Sequence, residues 1–208
     1  MCCCTKKIEL LFRSACLIGL YICASASAAE GIVISKAEAR LSGDSYQLSA
    51  DFDIQLSPVV EAALKHGVTL YFVSELSISR SRWYWLDTNI TREEQVAKLS
   101  FNALTQQYRI SRGSLFQSFS DLKDALHVLG HQTALPVSLA LLDKNGGGYF
   151  SRLMKKGIDC CSAFAQMRLD VTQLPKPLQV NALTNEDWNL ESKPYRWEIQ
   201  PASPEAEK

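Results

Sequence analysis

The run Tyr46-Gln47-Leu48-Ser49-Ala50-Asp51-Phe52-Asp53-Ile54-Gln55-Leu56 alternates apolar and polar residues without a break. Because successive side chains of a β-strand point to opposite faces, this alternation predicts a strand with one buried and one solvated face. Residues 32–41 form a second strand-like run, and Ser42-Gly43-Asp44-Ser45 between the two is rich in turn residues. The two runs therefore predict a β-hairpin.

Strand-like runs also dominate the rest of the chain. The further predicted strands are 70–79, 95–103, 107–110, 136–142 and 163–171. Neither an internal repeat nor an alternation of strands with long helices is visible in the sequence. We therefore expect a mainly β fold, an antiparallel β-sandwich-like domain with two short helices.

The two predicted helices are marked by residues that favour helix ends. The first covers 59–65, with Ser57 as its N-cap, Pro58 at the first helical position and Gly67 beyond its end. The second covers 121–129, with Ser120 as the N-cap and Gly130 as the stop. His66 is expected to belong to the end of the first helix.

The first 29 residues have the layout of a secretory signal peptide. Basic residues come first, the 16 residues from Ser14 to Ala29 carry no charge, and Ala24-Ser25-Ala26-Ser27-Ala28-Ala29 offers small-residue cleavage sites. We expect cleavage after Ala28 or Ala29 and a periplasmic or secreted protein, with no stable membrane span afterwards. The alternative is a membrane anchor formed by the uncleaved signal, although a spanning helix needs about 20 apolar residues. Residues 30–200 would then form a single β-rich domain, and 201–208 a disordered tail.

Removal of the leader changes the composition of the chain. It takes Lys6, Lys7, Arg13 and Glu9 with it, so 19 of 22 basic and 21 of 22 acidic residues remain. This balance gives no reason to expect nucleic acid as a partner. Five of the seven cysteines also go, which excludes a scaffold stapled by disulfides. About 180 residues are enough to bury a core without such staples.

Few residues suggest chemistry. Of the two remaining cysteines, Cys161 is expected to be buried and inert. For Cys160 three alternatives are open: a free thiol, a redox switch or an intermolecular bridge.

His127 and His131 are four residues apart, but Gly130 is expected to end the helix between them, so no metal site and no cofactor are predicted. Asp51 and Asp53 share one strand face without a catalytic partner. The sequence thus predicts no catalytic residues and favours a protein that is not an enzyme.

The densest polar and aromatic cluster is Arg80-Ser81-Arg82-Trp83-Tyr84-Trp85. Alternation along a strand would place Arg80, Arg82 and Tyr84 on one face, and the two tryptophans on the other. Two guanidinium groups beside a tyrosine would suit a carboxylate, a phosphate or an acidic protein strip. Two alternatives are open: Trp83 and Trp85 simply anchor a core, and Arg92, Glu93 and Glu94 pair with the arginines across a hairpin.

Several motifs resemble one known family. They are Gln173-Leu174-Pro175-Lys176-Pro177-Leu178, Asp187-Trp188-Asn189-Leu190, Tyr195-Arg196-Trp197, Phe52-Asp53-Ile54-Gln55-Leu56-Ser57 and Leu99-Ser100-Phe101-Asn102-Ala103-Leu104. The chain resembles the domain-of-unknown-function family forty-three-ninety, exported bacterial proteins of the "proline-rich signal peptide protein" type. The resemblance implies that the protein is exported and that it is associated with a sensor kinase of the nitrogen-regulation type. It implies no activity. Pro175 and Pro177 predict an extended path, from which Trp188 and Trp197 fold back onto the sheet.

These observations lead to one functional hypothesis and one alternative. The hypothesis is a non-enzymatic, exported module that binds an envelope protein, with a sensor kinase's outer domain as the candidate partner and Arg80, Arg82 and Tyr84 as the binding residues. The alternative is a small-ligand or glycan-binding β-sandwich with a groove lined by Tyr84 and Tyr108.

Overall fold

The predicted hairpin forms the first of two antiparallel sheets. A computed structural model of the protein describes residues 31–43, 45–82, 85–138 and 161–199, with only the backbone described at 41, 80–82 and 85–88. The strands of the first sheet are β1 (Gly31–Ser42) and β2 (Ser45–Gln55), joined by two short strands introduced below. Ile32 lies opposite Ile54 and Ser42 opposite Ser45, as a hairpin closed at residues 42–45 requires.

The remaining strands include every predicted one, and three that were not predicted: residues 115–119, 131–133 and 195–198. They are β3 (Leu70–Arg82), β4 (Trp85–Asn102), β5 (Gln107–Arg112), β6 (Leu115–Phe119), β7 (His131–Thr133), β8 (Val137–Ser138), β9 (Cys161–Leu169) and β10 (Tyr195–Glu198). β7 and β8 pair with β2, and the others form a six-stranded sheet in the order β10-β9-β3-β4-β5-β6. The predicted strand at 136–142 is confirmed only at 137–138, and 139–142 lie outside the described residues.

The apolar faces of both sheets supply one core. Tyr46, Leu48, Phe52 and Ile54 of β2 are buried, as the alternation predicted. The six-stranded sheet contributes the inward residues of β3, β4, β5 and β9: Leu70, Phe72, Leu76, Ile78, Ala97, Leu99, Tyr108, Ile110, Ala163, Ala165, Met167 and Leu169. This arrangement confirms the mainly β, sandwich-like prediction.

Three helices are present among the described residues, where two were predicted. Helix α1 (Pro58–Lys65) begins at the predicted cap, since the Ser57 hydroxyl accepts a hydrogen bond from the Val60 N–H at 3.3 Å and His66 closes the helix. Helix α2 (Leu122–Gly130) is capped by Asp121, not by Ser120, and Gly130 is its last residue.

The third helix, α3 (Lys176–Thr184), corrects the prediction of an extended path at Pro175 and Pro177. Both prolines lie at the helix start, where the missing N–H costs nothing and the fixed φ suits the first turn. The pattern Pro-Lys-Pro was thus an N-terminal helix signal.

Helix α2 lies close to β2 and is tied to β5. A Cβ atom at Gly130 would stand 1.9 Å from the carbonyl oxygen of Phe52, so only glycine allows this approach. The Arg112 guanidinium donates hydrogen bonds to the carbonyls of Val128, Leu129 and His131 at 2.8, 3.2 and 3.2 Å. The carbonyls of Val128 and Leu129 are among those that a helix C-terminus leaves unpaired, and His131 directly follows the helix. Burial lowers the pKa of Arg112 from its usual value.

The C-terminal segment closes the opposite end of the six-stranded sheet. The Ser57 hydroxyl donates to the carbonyl of Asp187 at 2.9 Å, and the buried Ser192 hydroxyl accepts from the Met167 N–H at 2.9 Å. Trp188 is buried against the core, and Trp197 lies in β10 partly buried. The expectation that both tryptophans return to the sheet is therefore confirmed. No helix in the described part of the chain is long and apolar enough to cross a bilayer.

Candidate functional site

The predicted binding residues lie at the closing end of the β3–β4 hairpin. Arg80 is opposite Thr88 on one side and Cys161 on the other, and Arg82 is opposite Trp85. Tyr84 and Trp83 lie outside the described residues, and at Arg80 and Arg82 only the backbone is described. The shared face of Arg80, Arg82 and Tyr84 therefore stays a prediction.

The carboxylates that were proposed as partners of these arginines have other contacts. Arg92 binds Glu75 at 2.9 Å and Glu94 at 3.3 Å. Glu93 accepts hydrogen bonds from the Gln95 side chain at 2.7 Å and from the Leu135 N–H at 2.7 Å. These carboxylates thus have local partners along the hairpin.

A second candidate surface is the outer face of the six-stranded sheet. The register aligns Tyr71, Lys98, Ser111 and Phe116 in one row across β3, β4, β5 and β6. Arg109 lies in the adjacent row, opposite Ser100 and Ser118. Because neighbouring rows on one face are within reach of long side chains, these residues form one continuous patch.

We call the cations Lys98, Arg109 and Arg168, with the rings Tyr71 and Phe116, the basic face. Lys98 Nζ lies 5.4 Å from the centroid of the Tyr71 ring, and Arg109 Cζ lies 4.7 Å from that of Phe116. Such cation–ring contacts are weak at exposed sites, about 0.5–1 kcal/mol, but they hold a charged group in a defined place. Arg168 extends the face on β9, opposite Val73.

Some cations in the described parts of the chain form ion pairs and others do not. Lys36, Arg40, Lys65 and Arg92 each form an ion pair. Within the described parts of the chain, Lys98, Arg109 and Arg168 form none. Three positive charges therefore face solvent, two of them held against aromatic rings, and this arrangement favours an acidic partner.

Strand β6 borders the basic face and carries two large exposed apolar side chains, Phe116 on that face and Leu115 on the opposite face of the sheet. Leu115 is 76% exposed and Phe116 is 63% exposed. In the described chain, no strand pairs with the far side of β6. An apolar, unpaired strand at the edge of a sheet is a place where another chain can pair.

The groove proposed for a glycan is not formed as expected. Tyr108 is only 8% exposed, and its ring packs 4.9 Å from that of Phe101 in the core. The prediction that Tyr108 lines a binding groove is therefore wrong, because Tyr108 occupies an inward position of β5. Its intended companion, Tyr84, lies outside the described residues.

The remaining candidate residues have structural roles where they are described. Cys161 is buried, as predicted, and Cys160 lies outside the described residues. His131 follows helix α2 and binds the Asp51 carboxylate, whereas His127 lies within the helix. Among the described residues, no group of three or more His, Cys, Asp or Glu side chains could hold a metal ion.

A shallow groove separates helices α1 and α3. It has a volume of about 340 Å³ and is lined by Val59, Ala63, Leu178, Asn181, Thr184, Asn185 and Trp188. None of these lining residues is charged.

Comparison with protein families supplies the missing context for this fold. A family model described as "Domain of unknown function (DUF4390)" matches residues 29–198. The chain belongs to this family. The resemblance drawn from the C-terminal motifs is thereby confirmed, and the match covers both sheets and all three helices of the described DUF4390 domain. No curated protein and no solved structure matches the chain.

Sequence reasoning missed the basic face because its residues come from five different strands. Lys98, Arg109 and Phe116 are separated along the chain and become neighbours only through the β4–β5 and β5–β6 register. A signal was nevertheless present in the Gln107–Phe119 region. Arg109 and Arg112 occur there without any acidic residue, so part of their charge had to face something other than a local carboxylate.

Proposed function

We propose that this protein is an exported, non-enzymatic interaction module of the bacterial envelope, which binds another envelope protein through an acidic surface. The observation that carries the proposal is the basic face, where Lys98, Arg109 and Arg168 have no carboxylate partner among the described residues. The outer domain of a sensor kinase is the candidate partner, because the family resemblance implies that association. The Arg80 and Arg82 end of the hairpin is a second proposed contact.

The export part of the proposal rests on the leader sequence. The family match begins at residue 29, next to the expected cleavage point after Ala28 or Ala29. Intact mass measurement of the protein recovered from the periplasm tests this directly. A mass that includes residues 1–28 would favour the alternative, an anchor formed by the uncleaved signal.

The non-enzymatic part rests on the lack of a catalytic set in the sequence. The candidate carboxylate Asp51 is bound by His131 on the solvated side of the first sheet, and Asp53 is exposed on β2. Neither lies in the groove between α1 and α3.

The binding part can be tested by charge reversal on the basic face. Lys98→Glu with Arg109→Glu should lower retention of the partner on immobilised protein by about tenfold or more, since rim charges steer association and opposite charges would now repel. A matched control is Lys176→Glu with Lys193→Glu. These two lysines are also exposed and have no ion pair among the described residues, and the change in net charge is the same.

Equal retention by the two double variants would overturn the basic face as the contact surface. The Arg80→Ala, Arg82→Ala variant tests the second contact separately. If that variant alone loses the partner, the hairpin end, and not the basic face, binds it.

A further inference from the structure

We propose that the free edge of β6 accepts an extended acidic segment of the partner as a seventh strand of the sheet. This inference rests on the proposed function, and it specifies how the partner binds. The relevant features are the hydrogen-bonding groups of β6, the absence of edge protection and the position of Arg109.

The register of the β5–β6 hairpin decides which backbone groups are available. Arg112 lies opposite Leu115 across a two-residue turn, in which Gly113 has a φ of 57°. In such a hairpin the residues beside the turn exchange hydrogen bonds, and every second pair along the ladder does the same. The N–H and C=O groups of Leu115, Gln117 and Phe119 therefore point toward β5.

The corresponding groups of Phe116 and Ser118 point the other way, to the free edge. No other described residue takes these groups in a hydrogen bond outside the strand ladders. Two residues thus present two donors and two acceptors in a row, which is the arrangement that β-strand addition uses.

Strand β6 carries none of the usual protections of a sheet edge. Natural proteins protect such edges with charged residues, proline or bulges. The sequence Leu115-Phe116-Gln117-Ser118-Phe119 has no charged residue and no proline, and its pairing with β5 shows no register shift. An edge without protection on an otherwise well-paired sheet is consistent with a docking function.

The neighbouring charges indicate the chemistry of the added strand. Arg109 on β5 lies directly opposite Ser118 on the edge strand β6. Because the serine side chain is small, it does not block the arginine side chain from reaching toward the free edge. Strands are about 4.8 Å apart, which places an added strand about 10 Å from β5. An arginine and a glutamate side chain together span that distance. Since Lys98 lies one row away and neither cation has a carboxylate partner among the described residues, an acidic segment fits best.

The test measures binding of the labelled peptide acetyl-Thr-Val-Glu-Val-Glu-Val-Thr-amide to the purified full chain by fluorescence anisotropy. We expect saturable binding. A peptide with lysine in place of glutamate should bind at least about tenfold more weakly, because it would meet Arg109 and Lys98 with like charge. A peptide N-methylated at its two glutamates should also bind at least about tenfold more weakly, because these residues lie opposite Phe116 and Ser118 and can then no longer donate to β6.

A pair of substitutions at one position separates the backbone from the side chain. Ser118→Pro removes an outward N–H and leaves the β5–β6 ladder intact, a placement that edge strands tolerate. Ser118→Ala keeps the N–H and is the control. We expect Ser118→Pro to weaken peptide binding about tenfold or more and Ser118→Ala to leave it unchanged, with both variants melting close to the unaltered protein.

Three results would overturn the strand-addition proposal. They are no binding of the acidic peptide, equal binding of the N-methylated peptide, and a concentration-dependent dimer that Ser118→Pro abolishes, which would assign the edge to a second copy of this chain. The N-methylated peptide decides the matter even if Ser118→Pro fails to fold. Retention of the partner that depends on Lys98 and Arg109 but not on Ser118 would leave the proposed function intact and refute only the strand addition.

Discussion

The two ends of the six-stranded sheet are finished in opposite ways. At the β10 end, the C-terminal segment returns to the sheet, Trp188 enters the core, and Ser57 and Ser192 bind backbone groups of distant segments. At the β6 end, Arg112 of the neighbouring strand β5 binds the end of helix α2, while β6 itself is uncharged and unpaired on its outer side in the described chain. Both β10 and β6 are edge strands in the described chain. We call the β10 side, where the C-terminal segment packs against the core, the closed end, and the β6 side, which has no such segment among the described residues, the open end.

The largest stability effect is expected from Trp188→Ala at the closed end. Trp188 is 3% exposed and lies between α1 and α3, so truncation removes a large apolar side chain and leaves a cavity. A loss of about 4 kcal/mol in the free energy of unfolding is expected. Chemical denaturation measures it, and Trp188→Phe should recover more than half of the loss. A loss below about 1 kcal/mol would mean that the C-terminal segment does not close the sheet.

The next effect is expected from Gly130→Ala at the open end. The added methyl group would meet the Phe52 carbonyl at 1.9 Å, so α2 must move away from β2. We expect a loss of about 2–3 kcal/mol, since overpacking outweighs the gain in helix propensity. Lys123→Ala, at an exposed position of the same helix, is the control and should be nearly neutral in thermal unfolding. A Gly130→Ala variant as stable as the control would contradict the close approach.

Arg112→Met tests how α2 is held beneath β5 and β6. The substitution keeps the apolar stem but removes the donors to three carbonyl groups at the end of α2. A loss of about 2 kcal/mol is expected, because hydrogen bonds from a charged group stabilise more than neutral ones. Hydrogen exchange should show faster opening of α2 and unchanged protection of β9. Uniform loss of protection across both ends would contradict separate support for the two ends.

The smallest effect is expected from Ser57→Ala. The hydroxyl caps α1 and donates to Asp187, so its removal frees one N–H and one carbonyl. We expect a loss of about 1 kcal/mol, typical of a lost N-cap. Ser57→Thr should restore most of it, as measured by urea denaturation. If Ser57→Ala costs nothing, the link between α1 and the C-terminal segment contributes no stability.

At each end some elements were predictable from sequence and some were not, and strand β10 at the closed end was also missed. Ser57-Pro58 identifies the start of α1, and the alternation in residues 163–169 identifies β9, because both signals are local. The helix at Lys176–Thr184 was missed, since prolines at a helix start resemble prolines in an extended segment. Strand β6 was missed because it has no buried face and so no period-two pattern.

The candidate site shows the same limit. Arg80 and Arg82 attract notice because they are adjacent to aromatic residues in one short segment. Lys98, Arg109 and Phe116 do not, because strand pairing alone brings them together. Single-sequence reasoning finds clusters that are contiguous along the chain, whereas a sheet face is assembled from several strands.

The most direct test of the account is photo-crosslinking in living cells from two exposed valines. Val96 lies on the basic face and is 47% exposed, and Val33 lies on the other sheet and is 55% exposed, so the two sites differ mainly in location. A photoreactive residue at position 96 should capture one recurring envelope protein, and Lys98→Glu with Arg109→Glu should abolish that adduct. Position 33 should not capture it. No adduct at position 96, or the same adducts at both positions, would contradict the assignment of the basic face as the contact surface.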